Sequence, residues 1–225
     1  MSALFIAGAG TDVGKTHVTA GLIRTLRTRG VEVAALKPLV SGFDADDWAQ
    51  SDPGRLLQAL GQPLTDETLA ALSPWRYRAP LSPDMAAERE GRSIDFDALL
   101  ALCQQRIAAA GDSPLLIEGV GGVMSPISPT TTNLDWMRGL GAPIVLVAGS
   151  YLGSISHTLT AASVIRNAGL SLAAIVVSES EGADTPFAET LASLERLSGA
   201  RLFGVRRDQP AEQWAPAILR DVLEH

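Results

Sequence analysis

The residues best placed to do chemistry lie in the run Gly8-Ala9-Gly10-Thr11-Asp12-Val13-Gly14-Lys15-Thr16, between a short apolar stretch and a segment of helical period. Glycines let the backbone fold tightly around an anion, so that N–H groups and the positive end of the following helix face phosphate oxygens. Lys15 supplies a cation, and the Thr16 hydroxyl is placed to ligate magnesium. The chemistry this predicts is capture of a nucleoside triphosphate with Mg2+, with Asp12, Val13, Gly14, Lys15, Thr16 and His17 as nucleotide contacts. The spacing is expanded. The common phosphate loop has four residues between its first glycine and the Gly-Lys-Thr, whereas five stand between Gly8 and Gly14 here.

Two further elements carry charge at the ends of apolar runs. Leu115-Leu116-Ile117-Glu118-Gly119-Val120-Gly121-Gly122 sets a carboxylate where an open α/β sheet forms its ligand crevice, suited to magnesium or its water shell, with glycines that allow close backbone contact. Lys37-Pro38-Leu39-Val40-Ser41-Gly42 brings a lysine able to neutralise phosphoryl charge and a serine able to hold a polar substrate group. Asp52, just before a helical segment, fits a helix N-cap on its own.

The elements that must position these residues alternate. Leu4–Ala7, Val31–Leu36, Leu115–Ile117, Pro143–Val147, Leu172–Val177 and Leu202–Val205 read as buried strands, nearly continuous in hydrophobicity. Helical period covers about Lys15–Arg29, Pro53–Leu60, Asp66–Leu72, Phe96–Ala110, Leu134–Arg138, Ile155–Ala168, Phe187–Leu197 and Ala211–Leu223, several ended by glycine. The pattern predicts an α/β fold, a doubly wound and mostly parallel sheet flanked by helices, of P-loop NTPase type. Phe43–Ser51 and Ser73–Pro83 are expected to be long, functional surface loops.

With 225 residues, 46% apolar and 19% charged, the chain is expected to form one domain, residues 1–225. A net charge of −7, with no basic cluster beyond Arg24, Arg27 and Arg29 on one helix face, argues against a nucleic-acid partner. The run Ala3–Ala7 is too short for a signal-peptide core, and no stretch approaches the roughly 20 apolar residues of a membrane span. The C-terminal segment carries Glu212, Asp221 and Glu224 beside a lone Arg220, unlike a membrane-binding basic helix. One cysteine, Cys103, allows no intramolecular disulfide, and a reduced cytoplasmic setting is expected.

The expanded loop, Lys37-Pro38 with Ser41-Gly42, Ser51-Asp52, Glu118-Gly119-Val120-Gly121-Gly122 and Leu152-Gly153-Ser154-Ile155-Ser156-His157-Thr158 together resemble the dethiobiotin synthetases, ligases of biotin synthesis. The resemblance spans nearly the whole chain in order. It implies a homodimer that carboxylates 7,8-diaminopelargonate with CO2 or bicarbonate, phosphorylates the carbamate from ATP and closes a cyclic urea, releasing ADP and phosphate. Thr16, Asp52 and Glu118 would hold Mg2+; Lys15, Lys37 and Thr11 would act in catalysis. Thr11, Lys37 and Ser41 would meet substrate, and Gly153, Ser154 and Ser156 would meet the substrate of the neighbouring subunit. Gly119, Val120 and Gly121 would border the nucleotide. Where many members carry Asn-Asp to read the adenine edge, this chain has Ser178-Glu179, so weaker discrimination among bases is expected. A P-loop amidoligase and a partitioning-type ATPase switch are the alternatives.

Overall fold

A computed structural model describes residues 3–223; Glu224 lies outside them. The chain runs β1 (Ala3–Gly8), α1 (Lys15–Thr28), β2 (Ala34–Leu36), β3 (Leu39–Ser41), one turn of 3-10 helix (Trp48–Gln50), α2 (Asp52–Leu60), α3 (Asp66–Leu72), β4 (Trp75–Tyr77), α4 (Pro83–Arg89) and α5 (Phe96–Ala110). It continues through β5 (Leu115–Glu118), α6 (Asn133–Leu140), β6 (Ile144–Ala148), α7 (Ser154–Asn167), β7 (Leu172–Ser178), α8 (Phe187–Ser198), β8 (Leu202–Val205) and α9 (Ala211–Leu223).

Six strands form one sheet in the order β2-β5-β1-β6-β7-β8, and every pair in it is parallel. Parallel strands bury both faces, which is why the six runs read as unbroken apolar stretches. Alternate residues feed two cores. Phe5, Leu115, Ile117, Ile144, Leu146 and Ile175 pack with Leu99, Cys103 and Trp136 on one face. Leu4, Ile6, Leu116, Val145, Val147 and Val176 pack with Leu22, Leu56 and Ile218 on the other. Phe5 meets Trp136 edge to face with centroids 5.0 Å apart, a contact that adds about 1 kcal/mol to the area buried.

The chain leaves β1 towards β2 and β5 on one side, then crosses to β6, β7 and β8 on the other. That reversal opens the crevice at the carboxyl end of β1, where open α/β sheets bind ligands. The loops after β1, β2, β5, β6 and β7 all emerge at this end.

Three expectations need correction. Strand β2 begins at Ala34 rather than Val31, because its neighbour β5 begins at Leu115, opposite Ala34, and offers no ladder earlier. The stretch expected as one loop over Ser73–Pro83 contains β4, which pairs in parallel with β3, Leu39 opposite Trp75 and Ser41 opposite Tyr77, and leads into α4, which the sequence did not reveal. The other expected loop, Phe43–Ser51, contains the 3-10 turn. Strands of three residues are too short to show a period of two, and their hydrogen bonds arise from tertiary pairing alone.

Candidate active site

The phosphate loop is shaped by contacts that exclude side chains. Gly8 ends β1 where a Cβ would lie 2.6 Å from the Gly10 carbonyl oxygen and 2.7 Å from that of Gly121, so the loop after β5 packs directly on it. Gly14 caps α1 at φ +93°, a left-handed conformation, and a Cβ there would come within 2.5 Å of the Ser178 hydroxyl. Lys15 is buried and donates to the Gly10 carbonyl at 3.2 Å, which holds its ammonium over the loop. Burial and the nearby Lys37 lower the Lys15 pKa to about 8, against the pull of Glu118, Asp52 and Asp12.

Lys37, at the end of β2, lies between two carboxylates. Its ammonium is 2.5 Å from Glu118 Oε1 and 2.9 Å from Asp52 Oδ2. Burial disfavours its charge, but Glu118 and Asp52 outweigh burial and raise its pKa above the ordinary lysine value. Burial likewise pushes Asp52 up, and the ion pair and hydrogen bond with Lys37, helped by Thr16 and Lys15, bring it below the ordinary carboxylate value. The Lys37 backbone is fixed by the C-terminal end of α3: its N–H donates to the Leu72 carbonyl at 3.2 Å, and the Ser73 hydroxyl donates to its carbonyl at 2.5 Å.

Glu118 is fully buried and meets the crevice through its partners. Its Oε1 accepts from Thr16 Oγ1 at 2.6 Å as well as from Lys37. Its Oε2 is buried without a hydrogen-bond partner among the described residues, and a buried carboxylate oxygen left without a donor is costly. Thr16, Asp52 and Glu118 thus offer an all-oxygen donor set with one lone-pair site uncommitted, which fits a hard divalent cation that keeps waters and shares phosphate ligands. Ser51, not Asp52, occupies the N-cap of α2, which leaves the Asp52 side chain to face Lys37.

Two cavities meet at this cluster. One, of about 610 Å³, runs over the phosphate loop from Thr11 to His17 and on to Ser178, Glu179 and Arg207. The other, of about 630 Å³, is lined by Lys37, Ser41, Ser82, Val120, Gly121 and Ser125. Thr11, Asp12, Lys15, Asp52 and Arg55 border both. The His17 imidazole has its pKa lowered by burial and then by Arg24, Arg207 and Arg55.

At the far end of the first cavity, Glu179 Oε2 accepts from the Arg207 N–H at 3.2 Å, while Ser178 is buried against Gly14. Gly119, expected to border the nucleotide, lines neither cavity and packs against Phe5, while Val120 and Gly121 line only the second. Asn133, which the sequence did not single out, braces the loop after β5 by donating to the Val120 and Gly122 carbonyls. Three further expected residues, Gly153, Ser154 and Ser156 at the start of α7, also line neither cavity. Ser156 is exposed beside Leu152, which is 91% exposed.

Comparison with known proteins agrees with this architecture. A family model described as "AAA domain" matches residues 2–207. The chain is similar to ATP-dependent dethiobiotin synthetase BioD of Methylobacterium nodulans, 49% identical over 211 residues that span 92% of this chain and 94% of that protein. The protein of the same name from Caulobacter sp. is 49% identical over 99% of this chain and 94% of its own length, and that of Yersinia pestis is 36% identical over 89% and 82%. Among solved structures, the MinC:MinD cell division protein complex of Aquifex aeolicus superposes with a TM-score of 0.61 at 12% identity, covering 100% of this chain and 97% of the other. Hydrogenase maturation factor HypB of Archaeoglobus fulgidus gives 0.57 at 16% identity, covering 99% and 90%. Those structural likenesses are of the P-loop NTPase fold alone, whereas identity near one half along nearly the full length shows descent. The chain belongs to the ATP-dependent dethiobiotin synthetase family.

Proposed function

We propose that the chain is a ligase that makes dethiobiotin from 7,8-diaminopelargonate, CO2 or bicarbonate and ATP with Mg2+. The observation that carries the reading is the meeting of two cavities at Lys15 and Asp52, with Lys37 paired to Asp52 on the wall of the second and Glu118 buried beneath: one cavity suits a nucleotide, the other an acceptor.

In this reading an amine of the substrate attacks CO2, forming a C–N bond and losing a proton to give a carbamate. A carbamate oxygen then attacks the γ-phosphorus, and the P–O bond to ADP breaks with its electron pair staying on ADP. The second amine, held close to the mixed anhydride, attacks the carbonyl carbon, gives up a proton and expels phosphate, which leaves carrying that proton, so ring closure benefits from intramolecular proximity. Lys37 stays protonated because of Glu118 and Asp52, so its role is electrostatic: it stabilises carbamate and transferring phosphoryl charge and takes no proton. Lys15 cradles the phosphates, while Thr11 and Ser41 orient the acceptor. Thr16, Asp52 and Glu118 would hold Mg2+, which would supply positive charge to offset that of the phosphates.

We read residues 1–225 as a single catalytic domain acting in the cytoplasm. Gly153, Ser154 and Ser156 would serve the site of a second copy in a homodimer, a reading supported by their place outside both cavities and by the exposed Leu152. Incubating the purified protein with the diamine, bicarbonate, Mg2+ and ATP tests the function: dethiobiotin should form mole for mole with ADP, and ATP hydrolysis indifferent to the diamine would contradict it.

A further inference from the structure

Arg55 lines both cavities. It follows Asp52 by three residues on α2, so the two side chains share one face of the helix. The ion pair between Asp52 and Lys37 at 2.9 Å turns that face towards the junction of the cavities. The Arg55 charge also reaches His17 in the first turn of α1, where it helps to depress the imidazole pKa.

The other two cations at the junction are already committed. Lys37 is buried between two carboxylates, and Lys15 is buried against the Gly10 carbonyl. The Arg55 side chain differs: the residue is exposed, and no carboxylate lies within 4.0 Å of it among the described residues. An unpaired guanidinium at the wall of a phosphate cavity is free to follow charge as it develops. Its planar fork suits two oxygens of one phosphoryl group, which an ammonium cannot match.

We propose that Arg55 is a catalytic residue, an arginine supplied in cis that closes on the γ-phosphoryl group as it passes from the nucleotide cavity to the acceptor cavity. The inference rests on the phosphoryl-transfer reading of the site. As the oxygen–phosphorus bond to the acceptor forms and the bond to ADP breaks, negative charge spreads over the equatorial oxygens, and Arg55 donates two N–H bonds to them without giving up a proton.

The test compares wild type, Arg55→Ala and Arg55→Lys by turnover, by ADP affinity, and by the tightening of ADP binding on addition of fluoroaluminate, with and without the diamine. Arg55→Ala should lower kcat by about 10³-fold, the lower end for such arginines, while ADP affinity stays within about threefold. Fluoroaluminate should tighten ADP binding in wild type and not in Arg55→Ala, and Arg55→Lys should recover only part of the rate. A kcat within about threefold of wild type, or a loss of ADP affinity equal to the loss of kcat, would overturn the proposal. If wild type forms no dethiobiotin, the functional reading fails, yet the fluoroaluminate comparison still decides the role of Arg55: retained tightening in Arg55→Ala sinks it.

Discussion

Lys37 Nζ and Glu118 Oε1 stand 2.5 Å apart at the carboxyl ends of adjacent strands, and neither side chain is more than 4% exposed. The parallel pairing of β2 with β5 sets this distance, since Leu36 lies opposite Ile117 and the next residue of each strand is the charged one. The pair therefore belongs to the sheet as much as to the site.

Glu118→Gln keeps an acceptor for Thr16 but removes the buried countercharge of Lys37. Breaking a buried pair costs about 3 kcal/mol, and the remaining Asp52 contact does not replace it. The urea midpoint should fall accordingly at unchanged slope. A variant as stable as wild type would show that Asp52 alone satisfies Lys37.

Lys37→Ala should separate binding from rate. If the ammonium stabilises charge only as the phosphoryl group moves, kcat falls by roughly 10²–10³-fold, while nucleotide affinity stays within about threefold. A drop in affinity matching the drop in kcat would make Lys37 a ground-state binding group.

Lys15 predicts a pH dependence. With its pKa lowered from 10.5 to about 8, the ammonium of the free enzyme is charged below that pH and neutral above it. Bound phosphates favour the charged form, so nucleotide affinity should fall as pH rises past about 8, with a proton taken up on binding in that range. Calorimetry in buffers of different ionisation enthalpy reads this uptake, and a flat affinity from neutral to alkaline pH would contradict it. The stability linkage runs the other way. Between the folded value of about 8 and the ordinary 10.5 the unfolded chain binds more protons at Lys15, so this group makes stability rise with pH. Lys37, raised in the fold, contributes stability present below the ordinary lysine value and lost only at higher pH.

Base choice follows from how Ser178 and Glu179 are held. Ser178 is buried against Gly14, and Glu179 already accepts from the Arg207 N–H. No amide of the kind that pairs donor and acceptor with adenine stands at these two positions. Values of kcat/KM for ATP, GTP and CTP should agree within about tenfold, or 1.4 kcal/mol. An ATP preference of about a hundredfold or more would require a base contact from another part of the chain.

Much of this site was readable in the sequence, because it is built from loops at the ends of parallel strands. Such strands announce themselves as apolar runs, and the glycines, lysines and carboxylates that follow them fall at one end of the sheet by topology. Thr16, Lys37, Asp52 and Glu118, spread over a hundred positions, meet for that reason. What stayed hidden depends on contacts between distant segments. Ser73 holds the Lys37 carbonyl from the two-residue link between α3 and β4, and Arg55 gains meaning only from the two cavities on either side of it. Asp52 read as an N-cap because local sequence cannot show that Ser51 takes that place.

The central claim is that the γ-phosphoryl group of ATP passes to an oxygen derived from CO2. Supplying oxygen-18-labelled CO2 with the diamine, Mg2+ and ATP, and quenching before exchange with water, tests it directly. One label should appear in the phosphate released and one in the urea carbonyl of dethiobiotin. Unlabelled phosphate formed alongside labelled dethiobiotin would contradict phosphorylation of the carbamate.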